Sequence, residues 1–147
     1  MKEPFVEWKE DFSIGVETVD EQHKGLFNLA NELYDVCEKE GVTTEYFKEV
    51  LQKTVNYVIL HFSTEERIMK QYNDPCYEEH QNEHGIFVRK VMQEAANLEN
   101  GEADAPKVFM DFLRDWIGKH VTGTDIKIGQ HIESLREQGQ ISRDAAV

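Results

Sequence analysis

Residues 61–69 read His61-Phe62-Ser63-Thr64-Glu65-Glu66-Arg67-Ile68-Met69, and residues 80–84 read His80-Gln81-Asn82-Glu83-His84. In each stretch two metal-ligating side chains stand four residues apart, the spacing that places them on one face of a helix. His120 precedes Asp125 by five residues, and His23 lies alone upstream. Each of these positions continues an apolar stripe of helical period, so the imidazoles and carboxylates face the same way as the core.

Working outward, the stripes define four long helices separated by turn chemistry. The first is expected from Thr18, where Thr18-Val19-Asp20-Glu21 fits a capping box, to Gly41, with His23, Leu26, Phe27, Ala30, Leu33, Tyr34 and Cys37 inward. The second runs from Thr44 to Tyr72 and carries Phe47, Val50, Thr54 and Val58 ahead of His61 and Glu65. Asp74 and Pro75 cap and open the third, which carries His80 and His84 between Tyr77 and Phe87 and stops at Asn100-Gly101. The fourth starts near Asp104-Ala105-Pro106, and Phe109, Phe112, Leu113, Trp116 and Ile117 lead to His120.

Beyond Asp125, Ile128, Ile132 and Leu135 mark a short further helix or an extension of the fourth, and a polar tail at 138–147 is expected to fray. Ahead of the bundle, residues 1–18 form an arm whose Phe5, Trp8, Phe12, Ile14 and Val16 should pack on the helices, with a turn at Gly15. The fold class is all-α: an up-down-up-down four-helix bundle with an N-terminal arm and a short C-terminal helix. The 147 residues are read as a single domain.

A net charge of −13, from 16 basic and 29 acidic residues, argues against nucleic acid and anionic membranes as partners. No apolar run approaches the roughly 20 residues that span a bilayer, and Met1-Lys2-Glu3-Pro4-Phe5 does not read as a secretory signal. A cytoplasmic, monomeric protein is the expectation, with any protein partner unknown. Cys37 and Cys76 form no Cys-x-x-Cys pair and read as thiols.

Five imidazoles and two carboxylates on core faces are costly to bury without a cation. Seven donors exceed the four of a structural zinc site and suit two metals, with iron, zinc, manganese and copper all compatible with these ligand types. Two carboxylates can bridge a pair of ions, and five imidazoles then divide three and two. The ion with two is left with an open position. Glu-x-x-His, the mark of carboxylate-rich di-iron bundles, is absent: Asp20, Val58, Tyr77, Gln81, Ile117 and Ile128 stand three residues before the histidines. His131 reads as a surface residue, and Glu66 and Glu83 as solvated or supporting the ligands.

The motifs Trp8…Phe12-Ser13-Ile14-Gly15-Val16…Asp20-Glu21-Gln22-His23, His61-Phe62-Ser63-Thr64-Glu65-Glu66…Met69, Pro75…His80-Gln81-Asn82-Glu83-His84 and Trp116-Ile117-Gly118-Lys119-His120…Asp125 resemble the hemerythrin family, specifically its single-domain bacterial members. The resemblance runs from about residue 5 to 130. It implies that His80, His84 and His120 bind one iron and His23 and His61 the other, with Glu65, Asp125 and a solvent-derived oxo or hydroxo group bridging them. Dioxygen would bind at the iron of His23 and His61, with Trp116 and Ile117 as walls of its pocket. The chain departs from the family pattern at Ile117, where many relatives have leucine, and at Ile128, where an aromatic often follows the bridging aspartate.

The resulting expectation is a non-enzymatic di-iron protein that binds dioxygen reversibly for storage, transport or delivery. The alternatives are an oxygen, nitric oxide or redox sensor acting through a partner, and a weak di-iron peroxidase or oxidase. The spacing of His120 and Asp125 sets one structural condition. On a regular helix it rotates them about 140° apart; the expectation is a widened turn at Thr122-Gly123-Thr124, which an unbroken helix through 118–128 with Asp125 pointing outward would refute.

Overall fold

The computed structural model describes residues 3–39 and 44–147, and among these every regular element is helical. A 3₁₀ turn at Glu10–Phe12 precedes α1 (Glu17–Glu38), α2 (Thr44–Gln71), α3 (Tyr77–Glu99) and α4 (Ala105–Trp116). The chain then passes through a π-helical segment, Ile117–Thr124, before α5 (Ile126–Glu137). Helix α1 packs on α2 and α4, and α3 packs on the same two, which closes an antiparallel up-down-up-down bundle. The end expected for the first helix at Gly41 lies outside the described residues.

Local chemistry explains most boundaries. Gly101, at φ 75°, stops α3 in the left-handed conformation that glycine adopts without strain, and its amide donates to the Leu98 carbonyl at 3.1 Å. Asp104 and Pro106 open α4 as expected. Two starts differ from expectation. The capping box at Thr18 does not form: α1 begins at Glu17 behind Val16, which makes no side-chain cap. Asp20 is instead turned toward the arm, accepting the Ser13 hydroxyl at 2.5 Å and the Ile14 amide at 2.8 Å. Helix α3 begins at Tyr77 rather than Pro75, because the Asp74 carboxylate accepts the Cys76 amide at 2.9 Å in a turn that precedes the helix.

The arm packs through its aromatics. Phe5 stacks on Tyr34 at 4.5 Å between centroids, Trp8 meets Phe27 edge-on at 5.7 Å, and Asn31 exchanges two hydrogen bonds with the Val6 backbone at 2.9 Å each. Gly129 lets the arm's backbone sit against α5, since a Cβ there would collide with the Ile14 carbonyl. The tail beyond α5 does not fray. Ile141 and Val147 pack on the core, and Arg143 reaches back to Glu133 at 2.7 Å.

The core has two apolar clusters. The larger contains Leu26, Phe27, Leu33, Val58, Phe62, Phe87, Phe109, Leu113, Ile117 and Val121. The smaller contains Ile14, Val16, Val19, Ile68, Met69, Ile128 and Ile132. Between them along each helix lie the titratable residues: His23 between Val19 and Leu26, Glu65 between Phe62 and Ile68, and His120 and Asp125 between Ile117 and Ile128. Apolar packing on both sides fixes a polar layer inside the bundle.

Candidate metal centre

All seven side chains of that layer are buried, with His23, His61, Glu65 and Asp125 at 0% exposure. His23 comes from α1, His61 and Glu65 from α2, His80 and His84 from α3, and His120 from the π-helical segment, with Asp125 directly after it. The π-helical segment resolves the five-residue spacing. An added residue per turn brings His120 and Asp125 back to one side, and the Asp125 amide donates to the His120 carbonyl at 2.9 Å. Thr122 supports the wide turn by donating its hydroxyl to the Gly118 carbonyl at 2.7 Å.

Each of the five histidines in the layer turns Nε2 toward the carboxylates, and each carboxylate divides its oxygens. Glu65 Oε1 lies 2.7 Å from His61 and 3.2 Å from His23, while Oε2 lies 3.0 Å from His80 and 3.1 Å from His84. Asp125 Oδ2 lies 3.0 Å from His23, while Oδ1 lies 2.9 Å from His80 and 3.1 Å from His120. Two donor sets result, one of Glu65, His80, His84, His120 and Asp125, the other of His23, His61, Glu65 and Asp125. Both carboxylates belong to both sets.

Several of these approaches are not hydrogen bonds. Among the described residues the Nε2 atoms of His61 and His120, and Oδ1 of Asp125, have no hydrogen-bond partner although each is buried. Buried nitrogen and oxygen atoms that converge at such distances without hydrogen bonds to satisfy them suit a shared cation, which answers the desolvation cost of the whole layer. The donor set fits a metal centre.

The electrostatics without metal agree. Burial acts to lower the His23 and His80 pKa values, but the carboxylates of Asp125 and Glu65 beside them outweigh it and raise them to about 9 and about 10. Burial acts to raise Glu65, and the histidines around it hold it well below the usual carboxylate range. Asp125 is lowered in the same way, against burial and the charge of Glu65. The imidazoles keep both carboxylates ionised, in places where metal ions would carry the positive charge.

The match to known proteins covers this layer entirely. Residues 14–132 match the hemerythrin HHE cation binding domain. The chain belongs to the hemerythrin family. A bacteriohemerythrin of Clostridium acetobutylicum is 29% identical over 123 residues, covering 80% of this chain and 94% of the relative. A bacteriohemerythrin of Methylococcus capsulatus is 30% identical over 115 residues, covering 78% and 86%. A myohemerythrin of Theromyzon tessulatum is 30% identical over 125 residues, covering 85% and 91%. A crystal structure of a hemerythrin with a leucine-to-alanine substitution superposes with a TM-score of 0.80 at 25% identity, covering 88% of this chain and 98% of that one.

Within this hemerythrin fold, further side chains hold the outer nitrogens of the imidazoles. His61 Nδ1 lies 2.9 Å from Gln22 Oε1, His84 Nδ1 lies 3.2 Å from Glu66, and His120 Nδ1 lies 2.8 Å from Glu83. Such partners fix which nitrogen carries the proton and leave Nε2 as the ligand atom. Glu66 and Glu83 thus support the ligands rather than standing free in solvent. The role of Gln22 is not evident from the sequence, because a neutral residue beside His23 breaks no periodicity and adds no charge; its one signal is its place in the motif that ends at His23.

Phe62 stacks on His84 at 3.8 Å with planes 6° apart, and Trp116 stacks on His120 at 4.6 Å and 13°. Trp116 therefore stands beside the three-histidine set. Ile117 is buried in the larger apolar cluster. His131 is away from the layer, its Nε2 bonded to the Tyr72 carbonyl at 2.8 Å. Among the described residues no helix is long and apolar enough to cross a membrane.

Proposed function

We propose that this hemerythrin-family chain holds two iron ions and binds dioxygen reversibly, for storage, transport or delivery, and that it is a binder rather than an enzyme. The observation that carries the reading is the unequal division of donors: five side chains on one side, four on the other, with Glu65 and Asp125 common to both. His80, His84 and His120 would hold one ion and His23 and His61 the second. The second set offers one donor fewer, so an ion there has room for an exogenous ligand. When bound at these residues, a pair of ferrous ions would supply the redox chemistry of reversible dioxygen binding.

The chain's own residues supply the setting. Glu65 and Asp125, common to both donor sets, would supply two negative charges toward the two ions. Gln22, Glu66 and Glu83 hold protons on Nδ1 of His61, His84 and His120, keeping Nε2 directed inward. Phe62, Phe87, Trp116 and the aliphatic residues of the larger cluster exclude water from one side, and Ile68, Met69 and Ile128 from the other. A small uncharged molecule enters such a site without the desolvation penalty an ion would carry. The net charge of −13 favours a monomer by self-repulsion, and a cytoplasmic location is part of the same proposal.

The test is anaerobic loading with ferrous iron, followed by visible spectra before air, after air and after argon. A charge-transfer band that appears with oxygen and fades under argon is the expected result. Immediate conversion to a stable ferric form would contradict reversible binding and favour the redox-sensor or oxidase alternatives.

A further inference from the structure

The outer partners of the histidines differ in charge between the two sides. On the three-histidine side, His84 and His120 direct Nδ1 at the carboxylates of Glu66 and Glu83. On the two-histidine side, His61 directs Nδ1 at an amide oxygen, that of Gln22. His23 Nδ1 is buried and has no hydrogen-bond partner among the described residues. Anionic acceptors therefore face one donor set and none of these contacts brings one to the other.

The orientation of the Gln22 amide is set by a chain of donors. Thr64 gives its hydroxyl proton to the Leu60 carbonyl at 3.2 Å, so its oxygen is free to accept the Gln22 Nε2 amide at 3.0 Å. That turns Gln22 Oε1, an acceptor only, toward His61. His61 must then carry its proton on Nδ1, and its Nε2 lone pair points into the site, 2.7 Å from Glu65 Oε1 and without a hydrogen bond. The Tyr57 hydroxyl donates to the Gln22 carbonyl at 2.9 Å and anchors the residue from its backbone side.

We propose that Gln22 is a positioning and tuning residue: it locks His61 into the tautomer that ligates through Nε2, and as a neutral acceptor it keeps the two-histidine ion less electron-rich than its partner. This rests on the di-iron reading given above. A carboxylate that accepts an imidazole proton draws that proton toward itself and makes the ring a stronger donor, which favours the ferric state; an amide does so far less. With Glu66 and Glu83 on one side and Gln22 on the other, the ion with room for a ligand is biased toward the ferrous state that oxygen binding needs.

The test compares iron-loaded wild type with Gln22→Glu and Gln22→Met, measuring iron per chain and the midpoint potential by spectroelectrochemistry. Gln22→Glu keeps size and an oxygen acceptor at the same place; two irons and a lower midpoint potential are expected. Gln22→Met removes the acceptor, and a higher potential or weaker retention of one iron is expected. Equal potentials in wild type and Gln22→Glu, with two irons in both, would overturn the role of Gln22 while leaving the di-iron reading intact. Loss of iron from Gln22→Glu would also overturn it, because the acceptor is still present. A wild-type chain that takes up no iron would instead refute the underlying reading.

Discussion

His120 and Asp125 meet at 3.1 Å, Nε2 to Oδ1, although five residues separate them and a regular helix would turn them apart. The π-helical segment Ile117–Thr124 is the cause, adding one residue to the turn so that the pair behaves as an i, i+4 pair would on an α-helix. Deleting Thr122 should therefore relax the segment to α-helix and keep two irons per chain, whereas Asp125→Ala should leave fewer than two. Metal analysis of both variants checks this. Loss of iron on deletion alone would show that the wide turn does more than restore register.

Glu65 touches both donor sets through different oxygens. Glu65→Gln preserves volume but removes the charge and makes half of the group a donor facing imidazole nitrogens. Iron content should fall below two per chain, and thermal stability of the iron-treated protein should drop toward that of the metal-free chain. Retention of two irons would remove Glu65 from the assignment.

The metal-free layer carries a definite pH signature. His23 and His80 are raised from 6.5 to about 9 and about 10, so their contribution to stability is complete below pH 6.5 and is lost as the pH rises through 9 to 10. Glu65 and Asp125 are lowered, so theirs is complete above the ordinary values of 4.5 and 3.8 and is lost on acidification. Denaturant midpoints of the metal-free chain should be highest between about pH 5 and 6.5 and fall toward pH 10. Iron must displace the His23 and His80 protons, so its affinity should rise over the same upward range. A metal-free midpoint that increases toward pH 10 would refute the charge balance.

Packing around the layer is testable apart from metal. Phe62 is buried against His84, Phe87 and Trp116, and Phe62→Ala should cost about 3–5 kcal/mol in unfolding free energy. Gly129→Ala drives a Cβ into the Ile14 carbonyl and should cost about 1–3 kcal/mol while exposing residues near Gly15 to protease. An unchanged digestion pattern would show that the arm is held elsewhere.

Much of this architecture was legible in the sequence because helical period and ligand chemistry coincide. His61 and Glu65, and His80 and His84, repeat every four residues on stripes that also carry the core, so one pattern marks both the helix and its inward face. The need for a widened turn followed from the five-residue step between His120 and Asp125. Tertiary contacts decided the rest. Thr18 and Glu21 fit a capping box by spacing, yet α1 starts earlier, at Glu17, and Asp20 within that stretch takes Ser13 and Ile14 of the arm as partners. Glu66 and Glu83 lie beside the ligand faces, and only the approach of a neighbouring helix gives them His84 and His120. The polar composition of the tail concealed two apolar anchors, Ile141 and Val147.

The most direct measurement is anomalous diffraction at the iron edge from crystals loaded anaerobically with ferrous iron. Two peaks about 3.5–4 Å apart are expected, one beside the Nε2 atoms of His80, His84 and His120, the other beside those of His23 and His61, with Glu65 and Asp125 spanning both. A single peak, or peaks away from these seven side chains, would contradict the di-iron assignment.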